Sequence, residues 1–181
     1  MVLAGGHPGL RGSKLEIEGL EHLFPDSARW KPDGGLQGLV AMSKKAKVLH
    51  VSGHAKGVSE QGGEIDLGPL RVSLAGLFSF QFEDGPLVVL ATCEGGAGYD
   101  SKRGRSFSLI TPFRAAGASR VMANIWALDD KEASVFFMEF YRLLKKDGAT
   151  PEAALDKLRD RARLSGRHPY YWAGLFLIQG L

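Results

Sequence analysis

Three stretches of the chain are apolar almost without interruption: Val48-Leu49-His50-Val51-Ser52, Leu87-Val88-Val89-Leu90-Ala91-Thr92 and Arg120-Val121-Met122-Ala123-Asn124-Ile125. Short apolar runs without polar alternation predict strands covered on both faces. Leu175-Phe176-Leu177-Ile178 predicts a last strand, Met1 to Ala4 a first one and Ala28 to Trp30 a short one. Between them the period changes. Lys14 to Phe24 predicts a helix with a stripe of Leu15, Leu20, Leu23 and Phe24, and Gly34 to Lys45 a second with Leu36, Leu39, Val40 and Met42. Helices are also predicted over Leu74 to Phe82 and over Ser106 to Ala116, the latter containing Pro112.

Two later helices carry their own start and stop signals. Asp129 with Glu132 three residues on opens one, Ala133, Phe136, Phe137, Phe140, Tyr141 and Leu144 follow at helical spacing, and Lys145, Lys146 and Gly148 close it. Thr150 then caps another that starts on Pro151 and presents Ala154, Leu155, Leu158 and Ala162 on one face. Ile65, Leu67, Leu70 and Val72 alternate as a β-hairpin arm beyond a polar, Gly-rich stretch. Strands alternating with helices predict an α/β sandwich around a mostly parallel sheet, as one domain spanning residues 1–181.

The ends of the buried strands carry the candidate chemistry, because ligand crevices of open α/β sheets lie beyond the strands' carboxyl ends. The central run stops at the only cysteine, Cys93, followed by Glu94-Gly95-Gly96-Ala97-Gly98, glycines that read as slack letting the thiol and its amide face a substrate carbonyl. The preceding strand runs through Ser52 and Gly53 into His54 and Ala55. If the two strands are parallel neighbours, His54 faces Cys93; their 39-residue separation, 93 − 54, accommodates the crossover that parallel pairing needs. The other histidines suit packing or local hydrogen bonding: His7 in a turn, His22 on a helix, His168 before Pro169, and His50 within a strand as a satisfied core histidine.

Composition narrows this further. A single cysteine allows no internal disulfide, there is no apolar run of membrane-spanning length, and the Gly-rich start has no basic segment leading into an apolar one. These features predict a cytoplasmic protein without membrane association. The net charge of +3 comes from 23 Lys+Arg against 20 Asp+Glu, spread along the chain, so no direct nucleic-acid partner is expected. No metal-ligand set and no cofactor motif is apparent, and none is expected.

Rival chemistries fail on spacing. A cysteine phosphatase loop needs arginine six positions after the thiol, where this chain has Tyr99, and no Gly-Lys-Ser/Thr follows any glycine run. A nucleophile elbow needs glycine two residues to either side, whereas Ala91 precedes Cys93 and only Gly95 follows. There is no second cysteine for a redox pair. Cysteine acyl transfer remains, with His54 as proton acceptor and the backbone amides of Cys93 and Ala55 as oxyanion donors.

The paired stretches LHVSGHA (Leu49 to Ala55) and LVVLATCEGG (Leu87 to Gly96) resemble the two active-site strands of caspase-like cysteine peptidases. With AAGASRVMANIWALDD (Ala115 to Asp130), ATPEAAL (Ala149 to Leu155) and HPYYWAGLFLIQG (His168 to Gly180), the resemblance narrows to the CHAT domain, a caspase-related module commonly attached to tetratricopeptide repeats. It implies a caspase-like three-layer α/β/α sandwich, His54 and Cys93 as a catalytic dyad, and cleavage of peptide bonds in a protein substrate. Where the family has glycine after the histidine this chain has Ala55, which keeps the amide. The chain is short for the module and has no helical repeats, so it reads as a minimal or excised catalytic part, with a regulatory or repeat-containing protein as an expected partner.

Around that dyad, Ala91, Trp126, Asp129 and Asp130 are candidates for the substrate pocket; the two aspartates suit a basic P1 side chain, with helix capping the alternative role of Asp129. The basic loop Lys102-Arg103-Gly104-Arg105 is a candidate gate or processing site, and a solvated loop otherwise. A second reading from another class is a catalytically silent module that uses the same fold to hold a partner.

Overall fold

A computed structural model describes residues 1–59, 62–93, 95–96, 99–100 and 106–179; the 102–105 loop and Glu94, Ala97 and Gly98 lie outside the described residues. The continuous apolar runs occupy the middle of one sheet. Its strands are β1 (Val2–Gly6), β2 (Ala28–Arg29), β3 (Val48–Ser59), β4 (Gly62–Asp66), β5 (Arg71–Ser73), β6 (Leu87–Thr92), β9 (Arg120–Asn124) and β10 (Leu175–Gln179), while β7 (Tyr99–Asp100) and β8 (Ser106–Phe107) pair apart from it. The core order is β10-β9-β6-β3-β1-β2, with every pairing parallel except β9 with β10. The last strand is antiparallel because two helices, Asp130–Lys146 and Pro151–Leu164, lie between β9 and β10 and carry the chain down and back, so that it re-enters the sheet at the end where β9 leaves it, Leu175 opposite Asn124.

Strand pleating divides the interior into two cores. Leu49, Val51, Val88, Leu90, Val121 and Ala123 face one side and pack with Leu39 of α2 (Gly35–Ser43), Leu77 of α3 (Leu74–Leu77), and Ile110 and Phe113 of α4 (Ile110–Ala115). Val89 and Met122 face the other, against Ile17 and Leu20 of α1 (Arg11–Leu23), Phe136, Phe137, Phe140 and Tyr141 of α5 (Asp130–Lys146), and Leu155 and Leu158 of α6 (Pro151–Leu164). The molecule is thus a three-layer α/β/α sandwich.

The strongest helix signals hold to the residue. The Asp129 side chain accepts a hydrogen bond from the Glu132 amide, and that of Thr150 accepts one from the Ala153 amide. Elsewhere the structure differs. The α1 stripe is rotated: Leu15 is 48% exposed, and the covered face is Gly12, Ser13, Glu16, Ile17 and Leu20. Helix α3 is one turn instead of nine residues, because Phe80 leaves the helical path to pack on Phe113 and the Phe82 amide bonds to the Ala116 carbonyl. Residues 106–107 are strand, and α4 starts at Ile110, which puts Pro112 in its first turn, where the ring is tolerated. The third strand does not stop near Ala55 but runs to Ser59 and folds back as β4.

Candidate active site

Parallel pairing of β3 with β6 aligns Ser52 with Ala91 and Gly53 with Thr92, so the next step sets His54 beside Cys93 on strands ~4.8 Å apart. Pleating gives the side too. His50, whose ring packs on Phe137 and Tyr141, belongs to the α1/α5 face, and Ser52 and His54 follow it at intervals of two. Val89 on the same face is followed likewise by Ala91 and Cys93. Imidazole and thiol therefore share one face just past the last β3–β6 pair, where β6 ends and β3 continues toward β4. His54 is exposed and Cys93 half-buried.

Both border a cavity of about 220 Å³ between the sheet and two helices. The sheet supplies Ser52, Gly53, Ala91, Thr92 and Asn124; Leu10 and Glu16 come from the α1 side; and Leu128, Asp130, Ala133 and Phe137 come from the α5 side. The walls are largely apolar; of the polar side chains set into them the carboxylates of Glu16 and Asp130 only accept, while the Ser52 and Thr92 hydroxyls both donate and accept. Asn124 is buried, donates its amide nitrogen to the Trp126 carbonyl at 2.6 Å, and has its carbonyl oxygen Oδ1 without a hydrogen-bond partner. Asp130 takes the Gly12 amide on Oδ2 at 2.6 Å, joining the start of α5 to the start of α1.

Glu16 is the site residue that sequence reasoning missed. It is 2% exposed although charged, and its Oε2 lies 2.9 Å from Nε2 of the fully buried His50, whose Nδ1 lies 3.0 Å from the Tyr141 hydroxyl. Burial first, and the Glu16 charge second, push the Tyr141 phenol well above its ordinary range. A phenol that keeps its proton can donate to the ring or accept from it, so the tautomer of His50 sets the direction of both bonds. Only the rotation of α1 could have announced this: a glutamate at position 16 is ordinary on a surface helix and meaningful once that face is covered.

The other sequence-predicted residues separate. Ala91 and Asp130 line the cavity with His54 and Cys93. Trp126 and Asp129 are not among its described lining residues; the Trp126 ring stacks on Tyr170 and donates Nε1–H to the Tyr170 carbonyl at 2.8 Å, while Asp129 caps α5. Ala55 pairs with Ile65 on β4. The glycines after the thiol are close-packed instead of slack. Gly95 is buried, with a Cβ there meeting Thr92 Oγ1 at 2.6 Å. The Gly96 amide bonds to the Asn124 carbonyl at 2.8 Å, and a Cβ on it would strike the Phe176 ring. Any side chain there would push the loop off β9 and β10. Among the described residues no group of three or more His, Cys, Asp or Glu is arranged to hold a metal ion, and no helix is long and apolar enough to cross a membrane.

Solved structures with a similar fold include separase from Saccharomyces cerevisiae, crystallised with securin, at 18% identity and a TM-score of 0.68 over 99% of this chain and 12% of that one. The Arg-specific cysteine proteinase gingipain R matches at 8% identity and a TM-score of 0.60, over 99% of this chain and 45% of that one. The complex of the pro- and mature domains of RgpB from Porphyromonas gingivalis gives 8% and 0.61, over 99% and 46%. The chain thus spans about one eighth of the separase and under half of the gingipain. No curated protein sequence matches. The CHAT domain family matches residues 4–180, almost the whole length. A caspase-like fold and a family match of that extent make the chain a member of the CHAT domain family.

Proposed function

We propose that the protein is a cysteine endopeptidase that hydrolyses peptide bonds in a protein substrate. The observation that carries this reading is that His54 and Cys93 each follow the last residue of the parallel β3–β6 pairing and border one cavity. In this reading His54 takes the thiol proton, the Cys93 thiolate attacks the scissile carbonyl, and the imidazolium returns the proton to the leaving amine. Water then releases the acyl group from the thioester. The amides of Cys93 and Ala55 hold the oxyanion, each aligned donor contributing ~3 kcal/mol in the transition state.

The cavity beside the thiol takes the P1 side chain, and its chemistry favours a basic one. Glu16, Asp130 and Asn124 Oδ1 offer only acceptors to a ligand, and a guanidinium offers only donors. Leu10, Leu128, Ala133 and Phe137 suit the alkyl stem of such a residue. The neighbours named above include an Arg-specific proteinase and a separase bound to securin, and a regulatory protein partner at this cleft is part of the same proposal.

The test is a peptide library with all residues varied at P1, run on wild type, Cys93→Ala and His54→Ala. Cleavage after Arg or Lys that vanishes in both variants, with circular dichroism unchanged, is the expected result. Full activity in either variant ends the dyad reading. A protein that cleaves nothing and takes no His54-dependent adduct from a peptide-based thiol-reactive probe is instead an interaction module.

A further inference from the structure

A histidine that shuttles a proton is useful only in the rotamer that faces the thiol, and His54 is exposed where β3 passes from β6 to β4. The dyad reading names no residue that orients it. We infer that His7 is the positioning residue that holds the His54 ring toward Cys93. This rests on the peptidase reading of His54 and Cys93.

The two imidazoles meet edge to face, with centroids 5.0 Å apart and planes at 73°. The His7 ring is itself fixed from several directions. Its amide donates to the Ser52 carbonyl at 2.9 Å, continuing the β1–β3 ladder past the last paired residue, and the Leu10 amide closes a turn back onto the His7 carbonyl. Within that turn Nδ1 accepts the Gly9 amide at 3.0 Å, so Nε2 is the protonated nitrogen, 3.9 Å from Asp66 Oδ1. Asp66 is anchored in turn: Oδ1 accepts the Gly68 amide at 2.7 Å, and Oδ2 pairs with Arg71 Nε at 3.1 Å.

The strand pairing explains why these groups surround His54. Beyond Gly6, the place of β1 beside β3 is taken by β4, whose Asp66 is the register partner of His54. His54 thus has Cys93 on its β6 side and the His7/Asp66 group on its β1/β4 side. The ring contact favours the rotamer that an unsupported, exposed imidazole would share with others. Edge-to-face contacts between aromatic rings bias such an equilibrium by roughly 2- to 12-fold.

Two substitutions separate orientation from turn structure. His7→Phe keeps a ring against His54 and loses the acceptor for Gly9, whereas His7→Asn keeps an acceptor and loses the ring. The expected result is a fall in kcat of roughly 3- to 10-fold for His7→Asn with KM within about twofold, and near wild-type kcat for His7→Phe. In parallel, side-chain couplings of His54 measured by NMR report one rotamer in wild type and His7→Phe and averaging in His7→Asn. Wild-type kcat and a single rotamer in His7→Asn, or a Phe variant as impaired as the Asn one, overturns the proposal. If wild type cleaves no peptide and takes no peptide-based thiol probe, the peptidase reading falls, and the rotamer comparison alone decides whether His7 holds His54.

Discussion

Glu16 shows how one residue acquires two duties. Buried against His50, it is held by a ring that is in turn held by Tyr141, and it still borders the cavity. Glu16→Gln should therefore reduce kcat/KM for Arg or Lys at P1 by roughly 10-fold or more, with little effect on an apolar P1, in peptide pairs differing only there. Tyr141→Phe should act on stability: it leaves the buried His50 Nδ1 without its hydrogen-bond partner and costs ~1–3 kcal/mol in urea denaturation at pH 7. The same residue gives the alkaline limit a sign. The folded phenol holds its proton above the ordinary value of 10.0 while the unfolded one releases it, so Tyr141 is a source of stability lost as pH rises past 10. The slope of stability against pH above 10 should be shallower in Tyr141→Phe. At this scale the positions of Cys93 and His54, the proposed nucleophile and base, were legible in the sequence, because each follows a buried apolar run. Glu16 and His7 were illegible, since their meaning comes from a covered helix face and from a neighbour 47 residues away (54 − 7).

Elements were legible where signals were local and mutually consistent. Thr150-Pro151 and Asp129 with Glu132 fixed the starts of α6 and α5, because side-chain caps depend on residues three positions apart. They were illegible where a distant contact decided, as when Phe113 draws Phe80 out of a longer α3 or when β4 extends β3 to Ser59. Helix α5 tests the division of labour between two adjacent aspartates. Asp129 caps the helix, and Asp130 both ties it to Gly12 and lines the cavity. Asp129→Ala should lower stability by ~1 kcal/mol and leave the P1 preference unchanged. Asp130→Asn should weaken the preference for a basic P1. Urea denaturation and P1-matched peptides on both variants check the assignment, and a lost preference in Asp129→Ala would return that residue to the pocket.

At the scale of the molecule, the site owes its geometry to the most buried part of the sheet. β3 and β6 lie in the middle of the order, with a core on each face, and run parallel, so the last residues they pair, Gly53 and Thr92, reach the same rim. β2 and β5, two and three residues long, sit at edges where one side of the ladder has no strand. Local opening follows this gradient, because an amide exchanges from the cheapest fluctuation that exposes it. Native-state hydrogen exchange should find the slowest amides in 49–52 and 88–90, exchanging only with global unfolding, and much faster ones in 28–29 and 71–73. The contrast bears on function. A rim anchored to the slowest-opening strands keeps His54 and Cys93 in register through fluctuations that free the edges, so in the proposed peptidase movement belongs to the groups beside the dyad. Slow exchange at the edge strands, or fast exchange in β6, would mean that the dyad is not carried by the rigid part of the fold.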